Sequence, residues 1–288
     1  ATYIGGDIYN TTGADQSHAH AVQTNTKASY YMRFYNDGNT ADTLRVTGRG
    51  GNSGWRVAYF DTTDSDAGVE ITSSVTGTGW TTSPVAPDAY RRIRLEVTPL
   101  SGRPPGASLS VLVTAASMAD WPRADAVKAV TTCVLTRRPD GLIHNGTTFV
   151  GDGIFNMDGA GQARSQIVPA NSVAAYVARF YNDGNAADAI RVSGPGGNYA
   201  WRLKYIDYST GAEITAAVTG AGWTTPSLAA GGYRAVRVEV TPLSRAAGNS
   251  VCDVLLKGTS SGDSNKRDVV KASTTCGPSY QPDGLVYN

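Results

Sequence analysis

His18 and His20 stand two residues apart, a spacing that puts both imidazoles on one face of a strand and suits two ligands of one metal ion. No carboxylate nearby completes such a site, and no third ligand can be named, so both read as exposed strand histidines. The remaining histidine is His144, and the chain has no G-x-S-x-G elbow to supply a serine nucleophile for any of the three. A carboxylate pair for glycoside hydrolysis would be assembled in space rather than in sequence. The four glutamates, Glu70, Glu96, Glu213 and Glu239, all sit in strand contexts that occur twice, which favours structural roles. Asn36-Asp37-Gly38-Asn39 with Asp42, and the run Asp61, Asp64, Asp66, offer oxygens to a cation but lack an EF-hand spacing. They read as a turn between strands and as a solvated loop. The expectation is a chain with no catalytic residue, no metal and no cofactor: not an enzyme.

The elements carrying these residues come in two copies. Phe34-Tyr35-Asn36-Asp37-Gly38-Asn39 recurs as Phe180-Tyr181-Asn182-Asp183-Gly184-Asn185, a shift of 146. Gly79-Trp80-Thr81-Thr82 recurs as Gly222-Trp223-Thr224-Thr225, and Glu96-Val97-Thr98-Pro99-Leu100 as Glu239-Val240-Thr241-Pro242-Leu243, a shift of 143. The three lost residues come from the loop Asp61 to Gly68, shortened to Asp207 to Gly211, which marks an exposed tip. Inside each copy the apolar period is two: Trp55, Val57 and Tyr59 match Trp201, Leu203 and Tyr205, and Ile93, Leu95 and Val97 match Val236, Val238 and Val240. Gly, Asn, Asp and Pro clusters break the runs at short intervals, so seven to nine strands per copy are expected. The fold class is all-β, two tandem antiparallel β-sandwiches of immunoglobulin type. The expected division is a first sandwich over 1–138, a second over 139–281 and a C-terminal segment over 282–288.

Composition agrees. Of 288 residues, 41% are hydrophobic, 25 Lys+Arg balance 24 Asp+Glu, and only 17% are charged. A net charge of +1 excludes nucleic-acid binding through a basic surface. No apolar run approaches the roughly 20 residues of a membrane helix. By strand parity Trp55 and Trp201 face the core, Trp80 and Trp223 start strands, and Trp121 sits at a hairpin tip as a contact residue for a neighbour or a glycan.

Folding Val251 to Thr259 back on Asp268 to Cys276, with paired numbers summing to 528, sets Cys252 beside Cys276. A disulfide there would be worth ~3 kcal/mol in the chain-entropy model. Three reduced core cysteines are the alternative. The same folding in the first copy puts Leu109 opposite Cys133, expected as a lone buried thiol.

The ends carry the most information. Between the copies runs Pro139-Asp140-Gly141-Leu142-Ile143-His144-Asn145, leading into Thr148-Phe149-Val150-Gly151-Asp152-Gly153-Ile154-Phe155-Asn156. Only the second part stands before the first copy, as Tyr3-Ile4-Gly5-Gly6-Asp7-Ile8-Tyr9-Asn10. The first part recurs instead as Pro282-Asp283-Gly284-Leu285-Val286-Tyr287-Asn288. Joining residue 288 of one chain to residue 1 of another recreates the internal junction with a one-residue gap. The expectation is that Leu285, Val286 and Tyr287 add as a strand beside Tyr3, Ile4 and Ile8 of the next copy. A longer covalent array cut out of register and an ordinary tail are the alternatives. Sequons at Asn10 and Asn145, and one restored across the join at Asn288, are candidate glycosylation sites.

The Phe34-Tyr35-Asn36-Asp37-Gly38-Asn39 run with Asp42, Leu44 and Val46, and its second copy with Asp188, Ile190 and Val192, resemble the strand-turn-strand hallmark of bacterial immunoglobulin-like repeats on cell-surface and secreted proteins. The succession PDGL, GDGIFN, NDGN, GWTT and EVTP is similar to tandem repeats in large bacterial extracellular proteins, and it covers nearly the whole chain. The arrangement of the ends resembles pilus subunits completed by a neighbour's strand. The resemblance implies an extracellular or bacterial cell-surface location. The function expected is a structural subunit of an extracellular, pilus-like filament, with a second copy as partner and glycans as candidate partners. The alternative is a surface adhesin or carbohydrate-binding stalk module from a longer tandem-repeat protein.

Overall fold

A computed structural model of the chain describes residues 2–280. The chain divides into two compact units, Ala1–Thr136 and Arg137–Asn288. The first unit contains β1 (Ser17–Val22), β2 (Ala28–Tyr35), β3 (Leu44–Gly48), β4 (Trp55–Asp61), β5 (Val69–Glu70), α1 (Thr72–Thr76), β6 (Trp80–Thr81), β7 (Tyr90–Pro99), β8 (Ser108–Ser117) and β9 (Ala124–Cys133). One sheet runs β1-β9-β8-β3-β6 and the other β2-β7-β4-β5. Pairing is antiparallel apart from β1 on β9, which is parallel.

The second unit contains β10 (Pro139–His144), β11 (Ala163–Val168), β12 (Ala174–Asn182), β13 (Ile190–Ser193), β14 (Trp201–Asp207), α2 (Thr215–Thr219), β15 (Trp223–Thr224), β16 (Tyr233–Pro242), β17 (Val251–Ser260) and β18 (Arg267–Cys276). Its sheets are β11-β18-β17-β13-β15 and β10-β12-β16-β14. The class is all-β, with each unit's two sheets packed over one core.

Period-two patterning does what it must. In the first unit Trp55, Val57, Tyr59, Ile93, Leu95 and Val97 from one sheet share a buried cluster with Val46, Val111, Val113 and Cys133 from the other. The second unit repeats this with Trp201, Leu203, Tyr205, Val236, Val238 and Val240 against Val192, Val254, Leu256 and Cys276. Trp55 and Trp201 are core residues, Trp80 and Trp223 pack at its margin, and Trp121 is two-thirds exposed beyond the end of β8. Among the described residues no helix is long and apolar enough to cross a membrane.

The Asn-Asp-Gly-Asn segments are hydrogen-bonded turns. Asn36 donates through Nδ2 to the carbonyls of Thr40 and Val85 and accepts the Gly38 N–H through Oδ1. Asn182 does the same with Ala186, Leu228 and Gly184.

The expected Cys252–Cys276 disulfide is not formed: all three cysteines are thiols. The β17–β18 register pairs Cys252 with Thr274 and Val254 with Ala272, so paired numbers sum to 526. Cys276 lies past that pair, its N–H bonded to the Ser250 carbonyl. The turn sets this register. Ser260 N–H bonds to the Lys266 carbonyl, while the Asp188 carboxylate accepts from Ser260 Oγ and the Gly262 N–H. In the first unit Leu109 likewise faces Thr131 rather than Cys133, which is fully buried.

Candidate functional site

The two units differ along one sheet edge. In the second unit β10 lies antiparallel on the outer edge of β12, from Pro139 opposite Asn182 to His144 opposite Val177. In the first unit β2 is the equivalent strand, and among the described residues its only strand partner is β7. Tyr31 and Tyr35 on that edge are 57% and 46% exposed, whereas their counterparts Val177 and Tyr181 are half-buried beside β10.

The alternation of a strand divides the work of β10 between its two sides. The N–H and C=O of Ile143 exchange 3.0 Å bonds with the C=O and N–H of Val150, on the side away from β12. Gly141 donates its N–H to Asp268 Oδ2 at 2.7 Å. The other oxygen of Asp268 accepts the Asn156 N–H at 3.0 Å and Gln162 Nε2 at 2.9 Å. Asp268 is fully buried, and burial pushes its carboxyl pKa up against the pull of these donors. Ile143 is 1% exposed and joins the core, while Leu142 is half-buried on the other face.

Asp140 is also buried, accepting the Gly153 N–H through Oδ2 while Oδ1 has no hydrogen-bond partner. Burial pushes its carboxyl up to about 7, and the charges of Asp183, Asp268 and Asp152 add to the shift.

The first unit holds the same fittings. Asp125 is the repeat counterpart of Asp268, and its Oδ1 accepts the Asn10 N–H at 3.0 Å and Gln16 Nε2 at 2.8 Å. Among the described residues no donor reaches its Oδ2. Arg33 lies between the Tyr3 and Tyr90 rings at 4.2 and 4.5 Å, as Arg179 lies between Phe149 and Tyr233 at 4.0 and 4.7 Å. The segment around Tyr3 and Ile4 therefore occupies the same place as that around Phe149 and Val150. Yet Ile4 is 54% exposed, where Val150 packs against the core.

Of the residues expected at an assembly interface, Tyr3, Ile4 and Ile8 lie along this edge, the first two exposed and Ile8 half-buried. Leu285, Val286, Tyr287 and Asn288 lie outside the described residues. Asn10 and Asn145 are engaged locally: Asn10 Nδ2 donates to the Ala14 carbonyl, and Asn145 Nδ2 to that of Ser165. Asp125, Gln16, Asp268 and Gln162 escaped the sequence reading. Their only signal is the repeat itself, which sets Asp125 against Asp268 at a shift of 143 and Gln16 against Gln162 at 146.

Elsewhere the candidate chemistry resolves into local contacts. His18 and His20 stack edge-on at 5.0 Å, both exposed on β1. Glu96 pairs with Lys27 and Arg94, Glu239 with Arg237, and Glu213 with Lys204. Among the described residues no group of three or more His, Cys, Asp or Glu side chains is placed to hold a metal ion.

No protein-family model matches the sequence, and no curated protein matches it. Several solved structures align with it. A protein of unknown function from Porphyromonas gingivalis W83 aligns at 11% identity over 88% of this chain and 93% of that one, with a TM-score of 0.27. The CupB6 tip adhesin from Pseudomonas aeruginosa aligns at 10% identity over 88% and 90%, with a TM-score of 0.30. The C-terminal domain of the AgI/II polypeptide BspA from Streptococcus agalactiae aligns at 10% identity over 88% and 94%, with a TM-score of 0.26.

Proposed function

We propose that the chain is a structural subunit of a secreted filament on a bacterial surface. It grows head to tail as residues 282–288 of one copy add as a strand to the β2 edge of the first unit of the next. The observation that carries this reading is β10: the second unit's edge is filled by Pro-Asp-Gly-Leu-Ile, and the chain holds Pro-Asp-Gly-Leu-Val again at 282–286. An open strand edge is a pairing template, and an added strand satisfies its main-chain groups while its side chains give specificity. A donor at one end and an acceptor at the other make a heterologous contact, which extends without limit unless the rotation closes a ring. The role is mechanical, with no reaction and no cofactor. Glycans on exposed loops are a secondary partner class.

A second reading has its own observation. β10 is delivered by covalent continuity, because it begins three residues after Thr136 closes the first unit. In a longer tandem-repeat protein, an adhesin or stalk, a preceding repeat would fill the β2 edge in the same way.

Electron microscopy of the purified chain beside a Leu285→Asp/Val286→Asp variant tests the choice. Filaments from the unaltered chain and single particles from the variant are expected. Filaments from both, or discrete particles from both, would overturn strand addition between copies, and the second of these results selects the covalent-array reading.

A further inference from the structure

The acceptor edge has a chemistry of its own, which narrows what strand it takes. This inference rests on the strand-addition reading. We infer that the first unit carries a glycine-reading slot: Asp125 Oδ2 accepts the N–H of a glycine in the added strand, and the walls of the slot exclude any side chain there. The ligand class is an extended peptide of pattern Pro-Asp-Gly-apolar-apolar, supplied by residues 282–286 of a second copy.

The filled copy of the slot shows what it demands. A Cβ built on Gly141 would stand 2.9 Å from Val270 Cγ1, 3.1 Å from Asp268 Oδ2 and 3.2 Å from Phe180 Cε1, closer than real Cβ atoms settle without a neighbour shifting. Three parts meet there: an acceptor oxygen, a β-branched wall and an aromatic floor.

Each has a counterpart at the open edge. Asp125 stands for Asp268, Val127 for Val270 and Phe34 for Phe180. Asp125 is already oriented, because Asn10 and Gln16 hold Oδ1 as Asn156 and Gln162 hold that of Asp268. Its half-buried state, against the full burial of Asp268, is what an uncovered slot requires. Ile4 supplies the second fixed point, as the repeat counterpart of Val150, whose backbone exchanges two bonds with Ile143. One neighbour differs, since Ala115 replaces the Gly258 on which the Phe180 ring lies. The added strand is thus held at two non-adjacent residues on the side away from β2, which fixes register as well as affinity. A slip by one residue would present aspartate or leucine to the slot, and a slip by two would present proline or valine.

The test uses the full chain carrying Val286→Asp, which retains the acceptor but cannot donate. Fluorescence anisotropy follows labelled peptides Gln-Pro-Asp-Gly-Leu-Val-Tyr-Asn and Gln-Pro-Asp-Ala-Leu-Val-Tyr-Asn. The glycine peptide is expected to bind and the alanine peptide to bind about tenfold more weakly or not at all. Asp125→Asn, added to the acceptor chain, keeps Oδ1 for Asn10 and Gln16 but turns an amide N–H toward the glycine. It should cost the glycine peptide about tenfold in affinity while leaving the unfolding midpoint of the first unit in place. Equal binding of both peptides, or full binding to Asp125→Asn, would overturn the slot and leave strand addition standing. Binding of neither peptide would overturn strand addition itself, and the slot with it.

Discussion

Gly141 and Asp268 lie 127 residues apart in the sequence, yet the N–H of the first meets a carboxylate oxygen of the second at 2.7 Å in the interior of the second unit. This bond ties the strand that opens the unit to the strand that closes it. It runs from one sheet to the other, between β10 and the second residue of β18. A buried carboxylate costs free energy unless its lone pairs are occupied, and the Gly141 N–H is one of the donors that make burial of Asp268 tolerable.

Replacing Gly141 by alanine should therefore strain the second unit. The added methyl meets Val270, Asp268 and Phe180 within 3.2 Å. The expected loss is about 1–3 kcal/mol, the range for overpacking a filled site. Urea unfolding should show it as a lower midpoint for the second unit with the first unit unchanged. An unaltered midpoint would mean that β10 adjusts without cost.

The two apolar residues of the donor segment should not contribute equally. Ile143 is 1% exposed in the core, while Leu142 faces the other way and is only half-buried. Their counterparts are Val286 and Leu285. Val286→Asp alone should abolish filaments, because it puts a charge into the core of the neighbour. Leu285→Asp should weaken assembly, raising the critical concentration roughly tenfold, a figure matching the loss of about half a buried apolar side chain. Sedimentation across a concentration series separates the two, and a reversed order would show that the segment enters with opposite facing.

Much of this architecture was legible in the sequence, and the gaps have physical causes. Repeat and period-two alternation point to two β-sandwiches, because both are properties of side-chain pattern. The β17–β18 register was missed by two residues, since such a slip keeps every side chain on its own face and leaves the pattern unchanged. What selects the register is the Asp188 carboxylate at the turn, a contact between residues more than 70 positions apart. Leu142 and Ile143 show the same limit: adjacent apolar residues on a strand face opposite ways, and only the packed sheet says which one is core. Asp125 and Asp268 carry no sequence signal of their own beyond the repeat, because what singles them out is donors brought from afar: Asn10 and Gln16 for Asp125, and Gly141, Asn156 and Gln162 for Asp268.

Stability should be indifferent to reductant. Cys133 and Cys276 are buried, Cys252 is half-buried with its thiol pKa pushed up by burial, and none is cross-linked. Thiol titration should find three reactive groups in denaturant. In the native protein Cys252 should react first, and slowly at neutral pH because little thiolate is present. Thermal midpoints with and without dithiothreitol should coincide. A midpoint lowered by reductant would restore the cross-strand disulfide and require the β17–β18 register to shift.

The second unit should grow more stable as pH falls through neutrality, the reverse of ordinary acid sensitivity. Asp140 has its carboxyl raised to about 7 by burial and by the charges of Asp183, Asp268 and Asp152, against about 3.9 in an unfolded chain. Between those values the folded state binds the extra proton, so the unfolding free energy declines as pH rises through the window. The contribution is fully present below about 4 and is lost above about 7. Asp268 and Asp183, also raised by burial, act in the same direction. Asp207 acts in the opposite one: burial raises its pKa, but Arg234, Thr210 and the Ser209 N–H outweigh that and lower it, so its stabilisation fades only at more acid pH. Between pH 7 and pH 5 Asp140 should dominate, with a slope of roughly 1 kcal/mol per pH unit. Unfolding curves at pH 5, 6 and 7 should show the second-unit transition moving up as pH drops. Asp140→Asn should flatten that dependence and leave the first-unit transition where it was. A second unit whose stability is level across this range would mean that Asp140 is charged in the fold and that its unpartnered oxygen has found a donor.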